Sequence, residues 1–189
     1  MDKVTTNDIF AKNKIPQAKY LYTYKEDFDD EFVNKCVSEI GLPLIVKPSA
    51  NGSSVGVSKV EDKKTLKKAI SDAFKYDKKI LIEELIDGQE IEIAIIGEGD
   101  NVDVSSPAAY ITNHKLLDYD AKYFDKETIE QIPYQMDKKD QDIALDFAKE
   151  CYKIAGCHGF ARVDIFYTKK HEFFVNEINT FPGLSLIHI

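Results

Sequence analysis

The 189-residue sequence predicts an α+β fold in two parts, and three observations carry the prediction. Short strand-like stretches alternate with amphipathic helical stretches throughout. After an opening helix the first half reads β-α-β-β-α-β, whereas the second half reads as strands around one long helix. An Asp87-Gly88 turn separates the halves and is the expected hinge, giving parts 1–88 and 89–183.

In chain order, "TNDIFAKNKIP" has helical character, with Asn7 or Asp8 near its start and Pro16 beyond its end. "AKYLYTY" alternates as a strand does. In "EDFDDEFVNKCVSEIGL", Phe28, Phe32, Cys36 and Ile40 recur at helical spacing, and Gly41 stops the run. "PLIVKP" is a short buried strand, "ANGSSVG" a loop and "VSKV" a returning strand. The stretch from Glu61 to Asp77 is an amphipathic helix with Leu66, Ala69, Ile70 and Phe74 inward. "KKILIEELI" is a strand running into the turn. "EIEIAIIG" is a strand with Glu90 and Glu92 on one face and Ile91, Ile93 and Ile95 on the other. Residues 100–135 read as irregular, and the loop around residues 112–135 is too long for a simple connection, so it is expected to be functional or disordered. "KDQDIALDFAKECYKIAG" is a helix closed by Gly156, and "FARVDIFYT" and "EFFVNEIN" are strands joined by a polar turn.

Composition narrows the function. Asp and Glu outnumber Lys and Arg, 33 to 25, for a net charge of -8, which argues against a nucleic-acid partner. No apolar run approaches the roughly 18 residues that span a bilayer, and "MDKVTTNDIF" has no signal core. Three cysteines make no complete disulfide framework, so a cytoplasmic protein is expected. Cys157-His158 lacks zinc spacing and reads as a packing cysteine beside a surface histidine.

Four stretches could carry chemistry. Glu177 and Asn179 lie two apart on one strand and Asp164 on the strand before it, so three hard oxygen ligands could converge in a way that suits Mg²⁺. A solvated polar face is the alternative; Arg162, two residues before Asp164, favours an anion-binding site. "KPSANGSSVG" combines small residues, which let backbone N–H groups approach a phosphate, with Lys47 as a point charge. It lacks the Walker A pattern and could equally be a flexible hairpin loop. "LIEELIDGQE" could present backbone groups to a flat base, although Glu83, Glu84 and Glu90 taken alone would read as solvated. "DYDAKYF" could be a lid that closes over ligand, or an exposed loop with partly buried aromatics.

Together and in order, "MDK", "LPLIVKPSANGSSVGVSKV", "ILIEELIDGQEIEIAIIG", "LLDYDAKY", "GFARVDIF" and "FVNEINTFPG" resemble the ATP-grasp family, and within it the D-alanine–D-alanine ligases. The resemblance runs through almost the whole chain. It implies two α+β lobes enclosing a nucleotide, and ATP-dependent joining of two D-alanines through an acyl phosphate, for peptidoglycan precursor synthesis. By that resemblance Lys3 and Lys47 would contact the ATP phosphates, Lys122 the γ-phosphate, and the Ser53-Ser54 segment would cap the phosphates by its backbone. Glu83, Glu84, Leu85 and Ile86 would form the adenine pocket and Glu90 would take the ribose. Asp164, Glu177 and Asn179 would hold two Mg²⁺ ions, with Mn²⁺ an alternative. Arg162 and the N–H of Gly183 would stabilise the oxyanion, while Tyr123 would bond Ser53, position the lid and favour D-alanine as second substrate.

The family pattern also sets expectations for the ends. It has a domain of roughly a hundred residues before "MDK", which would bind the first D-alanine, and continues beyond "NTFPG" with a serine for the second. The family is often dimeric through its first domain, so a homodimer is one expected state of the longer protein. "LSLIHI", residues 184–189, is what CTG TCT CTT ATA CAC ATC encodes, a transposon-end sequencing adapter, and is expected to be translated adapter rather than protein. A chain so bounded is expected not to make dipeptide by itself. The competing readings are another ATP-grasp carboxylate–amine ligase, a nucleotide-binding module without catalysis, and a purely structural domain.

Overall fold

The computed structural model describes residues 2–52, 54–112 and 128–182. Helix α1 (Lys3–Lys12) starts earlier than the Asn7 or Asp8 expected from sequence. The reason is Asp2, whose carboxylate accepts from the Thr5 N–H at 3.0 Å and caps the helix. Asp2 is itself fixed by Lys79 at 2.6 Å and by the Ser49 hydroxyl, which donates at 2.9 Å.

Strand β1 (Tyr20–Tyr24), helix α2 (Asp30–Glu39), strands β2 (Leu44–Pro48) and β3 (Ser58–Val60), helix α3 (Lys63–Ala73) and strand β4 (Lys79–Glu84) follow. The strands form an antiparallel sheet in the order β1-β4-β2-β3. Val33 and Cys36 of α2 and Leu66 and Ile70 of α3 pack with Leu44, Val46, Ile80 and Ile82 into one core. Phe28, placed by its spacing on α2, precedes the helix because Asp29 takes the cap, accepting from the Phe32 N–H at 2.8 Å. Its ring still reaches the same core, 5.5 Å from that of Phe74.

The second sheet has the order β10-β9-β5-β6, again antiparallel, from β5 (Gly88–Glu98), β6 (Asn101–Val104), β9 (Gly159–Thr168) and β10 (Phe173–Asn179). Helix α4 (Lys138–Ile154) covers one face. Ala144, Ala148, Cys151 and Tyr152 meet Ile91, Ile93 and Ile95, all fully or almost fully buried. Each such isoleucine contributes roughly 1.5–3 kcal/mol by leaving water. The Tyr152 hydroxyl lies 2.9 Å from the Gly97 carbonyl and 3.0 Å from that of Gly159, satisfying polar groups at the sheet end. Gly88 opens β5 where a Cβ would stand 2.9 Å from the Tyr167 carbonyl.

The stretch expected to be irregular contains β6, β7 (Ala109–Ile111) and β8 (Ile129–Gln131), the last two paired as a ribbon. The three cysteines are free and buried, and His158 is exposed beside Glu98. No helix among the described residues is long and apolar enough to cross a membrane.

Candidate nucleotide and metal site

The face of the second sheet turned away from α4 carries the charge. Glu92 on β5 is in register with Asp164 on β9, and Asp164 with Glu177 on β10, so three carboxylates form one row across three strands. Like charges directly opposite on neighbouring strands repel. Arg162, two residues along β9, answers part of that repulsion. Its Nε and Nη2 donate to the two Asp164 oxygens at 2.7 and 2.8 Å, and its Nη1 lies 3.3 Å from Glu92. Asn179 completes the group: its amide nitrogen stands 2.9 Å from Asp164 and 3.3 Å from Glu177.

The electrostatics follow from this crowding. Burial pushes the Asp164 carboxyl well up, against the pull of Arg162, and Glu177 and Glu92 add to the rise. Burial would also raise Glu177, but Lys3 and then Lys47 prevail and bring it down to about 2. Burial would lower Arg162, but its bond to Asp164 outweighs that and the guanidinium is held charged.

The first sheet and α1 face this row. Lys3, on the first turn of α1, lies 3.2 Å from Glu177 and donates to the Asn51 carbonyl at 2.8 Å. Lys47, next to last in β2, is 7% exposed and pairs with Glu83 on β4 at 2.5 Å. Burial alone would lower the Lys47 ammonium; Glu83, Glu177 and Glu90 raise it instead. Asn7, the residue taken as a helix-start signal, is buried within α1 and donates to the other Glu83 oxygen at 3.0 Å. Glu83 is therefore no solvated edge residue.

Between the two sheets lies a cavity of about 270 Å³. Lys3, Lys47, Ser54, Glu83 and Glu90 line it, as do Glu84, Leu85 and Ile86 at the end of β4. Gly56 brings the loop onto Pro48: at φ +80°, its Cβ would lie 2.9 Å from the Pro48 ring and 2.7 Å from Tyr76. The Glu84 N–H donates to the Lys19 carbonyl at 2.9 Å, while the Leu85 N–H makes only a long 3.4 Å bond to Pro43. Gln17 also lines the cavity, and its side-chain oxygen is buried with no hydrogen-bond partner. Ser53, Lys122, Tyr123 and Gly183 lie outside the described residues, as do residues 184–189.

The donors fit the expected ligands. Glu83, Glu90, Glu92, Asp164 and Glu177 outnumber Lys3, Lys47 and Arg162, so the described site has room for added positive charge. Carboxylates and a carboxamide are the donor set of a hard divalent cation. The unpartnered Gln17 oxygen suits a ligand that brings an N–H, as an adenine amine does. Sequence reasoning missed Asn7, Gln17, Glu92 and Asn176. Only Glu92 left a signal, its place beside Glu90 on one face of the "EIEI" alternation.

Residues 9–188 match the family described as D-ala D-ala ligase C-terminus. The chain belongs to that family. Within the D-ala D-ala ligase C-terminus family it is similar to the D-alanine–D-alanine ligase of Finegoldia magna, 46% identical over 98% of this chain and 52% of that protein. Its α+β fold is similar to that of the VanG D-Ala:D-Ser ligase from Enterococcus faecalis, with a TM-score of 0.86 and 33% identity over 97% of this chain and 53% of that one. The D-alanine–D-alanine ligase from Coxiella burnetii superposes with a TM-score of 0.83 at 27% identity, over 99% of this chain and 49% of that one. The chain thus spans about half the length of these relatives.

Proposed function

We propose that this chain supplies the nucleotide- and metal-binding part of an ATP-dependent D-alanine–D-alanine ligase, with the two sheets as the two ATP-grasp lobes and the hinge near Gly88. The observation that carries the reading is the in-register row Glu92, Asp164 and Glu177, with Arg162 beside it and Lys3 and Lys47 facing it across one cavity. In the proposed reaction ATP phosphorylates the carboxylate of a first D-alanine. The amine of a second D-alanine then attacks the acyl phosphate, and phosphate leaves. Such chemistry asks the protein mainly to position groups and neutralise charge.

Lys3 and Lys47 would grip the phosphates, and Lys47 is already held charged for that task. Glu83 to Ile86 would receive the adenine and Glu90 the ribose. Arg162 would stabilise the oxyanion of the tetrahedral intermediate, together with the N–H of Gly183. Asp164, Glu177 and Asn179 would hold two Mg²⁺ ions, which when bound supply charge neutralisation for the phosphoryl group. Asn179 would do so through its carboxamide oxygen, after turning its amide nitrogen away from the carboxylates. Lys122, Tyr123 and the Ser53-Ser54 segment belong to this proposal as the lid over the phosphates. The product would feed peptidoglycan precursor synthesis in the cytoplasm, and the longer protein is proposed to be a homodimer.

Calorimetric titration of the 189-residue chain with ATP, with and without Mg²⁺, tests the reading. ATP should bind, and Mg²⁺ should tighten it; an affinity indifferent to Mg²⁺ would overturn the metal assignment. The second substrate is tested by Tyr123→Phe in a complete enzyme offered D-alanine, D-serine or D-lactate. An unchanged D-alanine rate would remove Tyr123 from its proposed role.

A further inference from the structure

Strand β10 carries one residue more than the strand it pairs with. Val175 pairs with Ile165 and Glu177 with Asp164, which are consecutive on β9, so Asn176 is the extra residue of a β-bulge. Val175 and Ile178 are both buried, a spacing of three that an unbroken strand cannot give to one face. The bulge therefore turns Asn176 and Glu177, adjacent in sequence, toward the same cavity.

Both ends of the Asn176 carboxamide are used. Its nitrogen donates to Glu90 at 2.8 Å, and its oxygen accepts from the Lys47 ammonium at 3.3 Å. Only a side chain with one donor end and one acceptor end satisfies a carboxylate and an ammonium together. Aspartate would repel Glu90, and leucine would serve neither. Lys47 belongs to the first sheet, Glu90 and Asn176 to the second. A continuous chain of contacts thus runs Asn7–Glu83–Lys47–Asn176–Glu90.

We propose that Asn176 is a positioning residue for the nucleotide, holding the Lys47 ammonium and the Glu90 carboxylate at a fixed separation so that phosphate and ribose are gripped as one unit. This rests on the nucleotide reading above. Asn176 acts through Lys47 and Glu90 and touches no reacting atom. The contributions of those two residues are consequently coupled, although they lie on different sheets.

The test is the affinity of the native chain, Asn176→Asp and Asn176→Leu for Mg²⁺·ATP and Mg²⁺·2′,3′-dideoxy-ATP, with circular dichroism to check the fold. Asn176→Asp is nearly isosteric and keeps the acceptor for Lys47, but it loses the donor to Glu90 and adds a charge that repels it. It should weaken ATP about tenfold more than dideoxy-ATP, the scale of one charged hydrogen bond, because only ATP has ribose hydroxyls for Glu90 to hold. Asn176→Leu should weaken both nucleotides. Equal losses for the two nucleotides in Asn176→Asp, or no loss in Asn176→Leu, would overturn the proposal. A native chain that binds neither nucleotide would instead overturn the nucleotide reading itself, a result visible before any variant is made.

Discussion

The two sheets face one cavity, yet they hold their charges in opposite ways. In the first, Lys47 and Glu83 form a closed pair, each almost buried and each hydrogen-bonded to an asparagine. In the second, Glu92, Asp164 and Glu177 stand in an open row, with Arg162 and Lys3 answering only part of their charge. A closed pair costs desolvation twice and recovers it by geometry, so it defines shape. An open row keeps the rest of its repulsion until a further cation arrives, so it defines a binding event.

The largest effect should come from breaking the closed pair. Lys47→Met leaves Glu83 buried without its cation and should cost about 3–5 kcal/mol, lowering the thermal midpoint by at least about 6 °C. Adding Glu83→Gln should recover much of that loss. A double variant no more stable than the single one would refute the closed-pair account. Asp164→Asn sharpens the contrast, because it removes one of three facing charges while keeping an acceptor oxygen for Arg162, which retains Glu92 as its ion-pair partner. It should lower the midpoint less than Lys47→Met does while abolishing the Mg²⁺ dependence of ATP binding in calorimetry.

A smaller effect is expected on the opposite face of the second sheet. Tyr152→Phe removes a buried hydroxyl shared by two carbonyls and should cost about 1 kcal/mol, or ~2–4 °C, with ATP affinity unchanged. The smallest should be a pH effect at the turn between β9 and β10. There the exposed His171 bonds Asp140, which raises the histidine pKa, and the Asp140 charge adds to the rise. A raised pKa means stabilisation that is complete below the unfolded value of about 6.5 and lost as pH climbs through the folded value. Midpoints of the native chain and His171→Asn should therefore differ below pH ~6.5 and converge as pH rises through the folded value. A constant difference would exclude the histidine charge as the cause.

Much of this architecture is written in local patterns. The isoleucines of β5 alternate, α4 keeps helical spacing over many turns, and Glu177 and Asn179 share a face by strand period. What escapes is whatever depends on distant partners. β6, β7 and β8 are three or four residues long and acquire their identity only from pairing. Glu83 looks solvated until Lys47, far away in sequence, is folded against it. Helix α1 starts before its apparent sequence signal because Asn7, a good capping residue, is used instead as a donor to Glu83. Asn176 was invisible for a different reason: strict alternation has no place for a bulge.

That bulge has an evolutionary corollary. Asn176 is a supernumerary residue, and excising it would bring Val175–Ile165 and Glu177–Asp164 into an uninterrupted ladder. Glu177, Ile178 and Asn179 would keep their present facings. Here, then, a single-codon deletion within a central structural element should be gentler on the fold than many substitutions, and should erase one contact set while sparing its neighbours. Gain or loss of that codon gives this scaffold a discrete, reversible step by which a lineage could tune its grip on nucleotide without rebuilding the strand.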